Sequence, residues 1–206
     1  MLLKHIAVNS IRFMLTPGTP EALHYDLDRY IQLTESGDFE KVMDYIYPGL
    51  YKLVPRQLLL DKFKEAFEGS DISDYTDGFF VSDISKPVEV EDMVFYKVKY
   101  VINLKADPHS GLVQQVLKGE DVSYDVMDIT NDLMFTLMEA TYGSGNVKYD
   151  EGEGCFRVQL INEMLAIYED GFDSWKFIKY GSGALYKRIF PPNVVKKLAA
   201  YFFLTD

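Results

Sequence analysis

The chain has 206 residues, 48% of them hydrophobic and 15% aromatic, enough apolar mass to bury a sizeable core. Acidic residues outnumber basic ones 32 to 21, a net charge of −11 with no Lys/Arg cluster to offset it, so nucleic-acid phosphates and anionic membrane surfaces are poor partners. No apolar run is long enough to cross a bilayer, and the lone Cys155 permits no intrachain disulfide, a usage that suits a reducing cytoplasm.

The N-terminal stretch MLLKHIAVNSIRFML has the apolar start of a signal peptide, but His5, Asn9, Ser10 and Arg12 interrupt it and no small-residue cleavage site follows. A short amphipathic helix fits better, with Leu3, Ala7, Ser10 and Met14 on one side. Thr19-Pro20-Glu21 then starts a helix: Thr caps, Pro fills the first turn and Glu faces the positive end of the dipole. Leu23, Leu27, Tyr30, Ile31 and Thr34 share its inward face, and Gly37 ends it. Asp38 caps a second helix with Phe39, Val42, Met43 and Ile46 as its stripe, stopped by Pro48-Gly49. Pro55 opens a third, with Leu59, Phe63, Ala66 and Phe67 inward and Gly69 as the stop.

Strands follow. Phe79 to Val90 alternates poorly, and Pro87 marks an edge strand or a bulge. Glu91-Asp92 is the turn into Met93 to Lys105, the cleanest strand of the chain. Val94, Tyr96, Val98, Tyr100, Ile102 and Leu104 lie on one of its faces; Lys97, Lys99, Val101, Asn103 and Lys105 lie on the other. Ala106 to Glu120 reads as a loop. Asp128 or Thr130 caps a helix with Ile129, Leu133, Leu137 and Ala140 inward, ending at Gly143, and Gly143-Ser-Gly-Asn146 and Glu151-Gly-Glu-Gly154 read as loop punctuation.

Cys155 to Tyr180 is the stretch on which the rest is expected to pack. Phe156, Val158, Leu160, Met164, Ala166 and Tyr168 keep the period of a strand, Asp170-Gly171 reverses the chain, and a second run goes from Trp175 to Tyr180. From Met164 to Ile167 both faces are apolar, which predicts cover on both sides. Pro191-Pro192 starts a terminal helix whose Val194, Val195, Leu198, Phe202 and Phe203 give it a side that docks. No composition shift divides the chain, so we expect one domain: an extension over 1–18, a core over 19–180 and a helix-bearing extension over 181–206. The fold class is α+β, with N-terminal helices packed on a curved, mostly antiparallel sheet plus a C-terminal helix.

The segments GDFEKVMDYIYP, PRQLLLDKFKEAF, VFYKVKYVINL and SWKFIKY, in that order, resemble the nuclear transport factor 2-like superfamily, also described as cystatin-like, and in particular its uncharacterised bacterial members. The resemblance spans about Pro20 to Tyr180 by the extent of the periodic segments. It implies a cone-shaped fold. The matching segments are packing signatures, and the superfamily hosts isomerases, dehydratases, hydrolases, binding modules and transport adaptors, so the fold says little about activity.

Catalytic signatures are sparse. No histidine pair stands at zinc-ligand spacing, and there is no Cys-x-x-Cys, phosphate-cradling Gly loop or G-x-S-x-G elbow; no metal and no cofactor is expected. His24 and Asp28 are i, i+4 on the first helix and can meet as base and orienter. The resemblance adds that superfamily enzymes use His and Asp inside the cone for acid–base work, while a solvated helix-flank pair explains the spacing equally. Asn162 is the polar residue on the apolar even-numbered face of the long strand, and Tyr30, Tyr96, Tyr100 and Tyr168 line either a cavity or the core. A lining of Tyr30, Tyr96, Tyr100 and Asn162 suits a small neutral or cationic organic ligand. Ile161, Leu165 and Ile167 on the opposite face predict a homodimer, unless the terminal helix covers them within one chain. Two readings stand: a ligand-binding or protein-interaction module, and a cofactor-free lyase, isomerase or hydrolase acting through His24 and Asp28.

Overall fold

The computed structural model describes residues 15–67, 76–106, 131–181 and 183–202. The helix expected before residue 15, the 107–120 loop, the caps Asp128 and Thr130, Ile129 and Phe203 lie outside these residues.

Local chemistry sets the helix ends. Helix α1 runs Pro20–Glu35, and its Ala22 amide donates to the Thr19 hydroxyl oxygen at 3.3 Å. Gly37, at φ +70°, closes its far end. The expected stripe of Leu23, Leu27 and Ile31 is buried. Helix α2, Phe39–Tyr45, buries Phe39, Val42 and Met43 and packs on α1. A 3-10 turn over Pro48–Lys52 leads to α3, Arg56–Phe67. Here the inward face differs from expectation: Leu60 is fully buried, whereas Leu59 and Phe63 are half-buried. Leu58 to Leu60 are three consecutive leucines, so periodicity alone cannot choose between them. The contact with α2, where Phe63 meets Phe39 at 6.1 Å between ring centroids, selects Leu60.

The protein is α+β. Its strands are β1 (Thr76–Ile84), β2 (Val88–Val90), β3 (Met93–Ala106), β4 (Val147–Asp150), β5 (Cys155–Glu169) and β6 (Lys176–Lys179). They pair in the order β1–β3–β5–β4, with β2 on β3 and β6 on β5; the β2–β3, β4–β5 and β5–β6 pairs are antiparallel. Pro87 has no amide to donate, and the chain leaves the ladder over residues 85–87. Ser85 bridges the gap: its amide donates to Lys97 O at 2.9 Å, and its hydroxyl oxygen accepts the Lys97 amide at 2.9 Å. Glu91, at φ +56°, turns β2 into β3 where expected.

The chain divides into two compact units. The first takes in the described parts of Met1–Glu68, Val81–Tyr100 and Glu163–Asp206, the second those of Gly69–Phe80 and Val101–Asn162. Strands β1, β3 and β5 contribute to both.

In the second unit, helix α4 (Asn131–Tyr142) packs on β4. Met138 is fully buried with Val147, Phe156 and Val158, and Phe135 and Tyr142 pack against them. Of the four residues expected inward, Ile129 and the Leu133 side chain lie outside the described ones, Leu137 is half-buried and Ala140 exposed; the face Phe135, Met138 and Tyr142 carries larger side chains to the sheet. Strand β4 lies between the two glycine clusters, where the sequence shows no period. Four residues with only Val147 buried are too short to display a period.

In the first unit, Met164 to Ile167 are all buried, as the two apolar faces predict. Ala166 is registered opposite Phe177 and Leu165 opposite Ile178. Leu165 and Ile167 join Phe95, Tyr186, Phe190 and Leu198 in one apolar cluster. Helices α5 (Gly183–Ile189) and α6 (Pro192–Phe202) supply its outer layer. Leu165 and Ile167, offered above for a two-fold interface, are therefore covered by the chain's own helices, and only Ile161 remains out, at 61% exposed. Helix α6 is also held by polar contacts. Lys197 Nζ donates to Glu89 O at 2.6 Å, Asn193 to Glu91 at 2.5 Å, and the Tyr180 hydroxyl to Phe202 O. Tyr47 lies in the same cluster, 5.1 Å from the Phe190 ring. Burial, then the charges of Glu169 and Asp92, push its hydroxyl up to about 12.

Two outcomes are expected. Leu165→Ala should cost about 2–5 kcal/mol in chemical denaturation, whereas Ile161→Ala should stay within about 0.5 kcal/mol. In an alkaline titration the unfolded Tyr47 loses its proton near pH 10 while the folded one keeps it to about 12. Its contribution is thus present below pH 10 and lost as pH rises towards 12, so Tyr47→Phe should flatten the fall in stability across that window.

Candidate functional site

The candidate site is built from the inward face of α1 and the even-numbered face of the sheet, within the first unit. Asp26 and Tyr30 are i, i+4 neighbours on that helix and turn towards the sheet together. Asp26 is 3% exposed, a carboxylate set within the Leu23/Leu27 stripe. It is buried with a purpose: its Oδ2 accepts the Trp175 amide at 2.9 Å. The Trp175 indole Nε1 donates to Thr19 O at 3.2 Å, so the residue just before β6 is bonded to α1 twice. Trp175 is fully buried, with Tyr96 edge-on and Tyr168 tilted, each 5.5 Å away. Gly18, at φ +83°, lies against Tyr168; a Cβ there would fall 2.7 Å from the ring.

Next along α1, the Tyr30 ring packs 5.1 Å from Phe177 and 6.4 Å from Tyr45. Tyr45 in turn stacks on Phe177 at 6.2 Å. Lys176, whose side chain is 11% exposed, leaves by the other face of β6 and donates to Asp44 O at 3.0 Å, placing a cation at the C-terminal end of α2. Tyr30 is half-buried as a residue, yet burial, then the proximity of Tyr100, pushes its hydroxyl well above the usual phenol range. Among the described residues no hydrogen bond reaches the Tyr30 hydroxyl. Tyr100 is half-buried and its hydroxyl is also raised by burial. Tyr96 is raised by burial, then by Glu89 and Glu21.

Of the residues singled out above, the structure thus brings Tyr30 and Tyr100 together and sets Tyr96 against Trp175 on the same unit. Asn162 belongs to the second unit and is half-buried, and its side-chain amide makes no hydrogen bond among the described residues. His24 and Asp28 are both exposed on α1, and among the described residues no ion pair joins them. The residue that escaped notice is Asp26. Its signal was available, since an acid at i+3 from Leu23 and beside Leu27 interrupts an apolar stripe.

Chemically, the arrangement offers aromatic faces and phenolic donors that stay protonated at neutral pH. Among the described residues no group of three or more His, Cys, Asp or Glu could hold a metal ion, and no helix is long and apolar enough to cross a membrane. The chain matches no protein-family model, no curated protein and no solved structure.

Removing the Asp26 acceptor should strand a buried backbone amide, so Asp26→Ala should lose about 1–3 kcal/mol, with Asp26→Asn milder because one oxygen remains. Trp175→Ala should lose about 3–5 kcal/mol. Denaturation curves within about 1 kcal/mol of wild type for both alanine variants would contradict this description of the joint.

Proposed function

We propose that the chain is a small-molecule-binding module of the nuclear transport factor 2-like kind, with its ligand taken between α1 and the sheet at Tyr30, Tyr100 and Tyr96. One observation carries the reading. The Tyr30 hydroxyl sits where burial opposes its ionisation, and no described protein group bonds it. A phenol hydroxyl with no described protein partner is free to donate to a ligand acceptor, beside a ring that packs on apolar neighbours. The surrounding rings of Tyr45 and Phe177 provide apolar walls, which suit a neutral or cationic organic ligand. The packing of N-terminal helices on a sheet face supports the resemblance without distinguishing it from other α+β arrangements. No observation favours the enzymatic alternative through His24 and Asp28. The homodimer expected from Ile161, Leu165 and Ile167 loses two of its three residues to the chain's own helices and forms no part of this reading.

The test separates binding from stability. Because the hydroxyl has no described partner, Tyr30→Phe should leave thermal stability unchanged or raise it slightly. Calorimetric titration of a panel of uncharged and cationic aromatic compounds should find a ligand for the wild type, and Tyr30→Phe should weaken that ligand several-fold. Equal affinity in both proteins, or a clear loss of stability in Tyr30→Phe, would overturn the assignment. A panel that favours carboxylates or phosphates would overturn the ligand class.

A further inference from the structure

We draw no further inference here: the strongest candidate, the buried Asp26 carboxylate in the side-chain cluster between α1 and the β5–β6 hairpin, carries nothing further, because its described bond to the Trp175 amide belongs to the joint already described and no second observation places a ligand beside it.

Discussion

The first unit depends on one hydrogen bond whose partners are 149 residues apart, from the Trp175 amide to the Asp26 carboxylate. The amide belongs to the bend between two strands, where no ladder partner is at hand, and a buried amide without an acceptor is costly. An apolar residue at position 26 would complete the helix stripe and leave that amide unanswered. An acid on a neighbouring face would stay solvated and never reach it. The indole bond to Thr19 O repeats the same joint about two turns earlier, so helix and hairpin are fixed in rotation as well as in distance.

With α1 fixed to that face, the rest of the first unit follows from cover. Met164 to Ile167 have no solvent side, and each face needs its own layer. Helices α1 and α2 provide one through Tyr30, Tyr45 and their contact with Phe177. Helices α5 and α6 provide the other through Tyr186, Phe190 and Leu198. The candidate site lies in the first of these layers, where the rings of Tyr30, Tyr45 and Phe177 pack on one another.

What could be read from the sequence tracks segment length and how much of a residue's role is periodic. Strand β5 and helix α1 are long, helix α6 keeps Val194, Val195, Leu198 and Phe202 on one side, and their stripes landed where periodicity put them. Tyr96 and Phe95 fell on opposite faces because the parity of β3 held through its length. Helix α5 and strand β4 are too short for a period, and the triple leucine of α3 left its phase to be chosen by α2. The site was legible to the same degree. Tyrosines on inward parity could be found by counting, but the i, i+4 spacing of His24 and Asp28 states only that two side chains are neighbours, not that they face inward. Asp26 was legible only in part: an acid within the Leu23/Leu27 stripe marks the position, but its partner is a backbone amide, which no side-chain pattern reveals.

The order of the elements has a consequence for the nascent chain. Helices α1 to α3 are made first, but the hairpin that covers their apolar faces is not complete until Lys179. At ribosomal rates of about 5–20 residues per second, the stripe of Leu23, Leu27 and Ile31 waits on the order of ten seconds for its counterpart. Helix α6 then arrives last to cover the opposite face. The chain is therefore most exposed to aggregation late in synthesis, when a long strand with two apolar faces has emerged and the cover from α5 and α6 is not yet made.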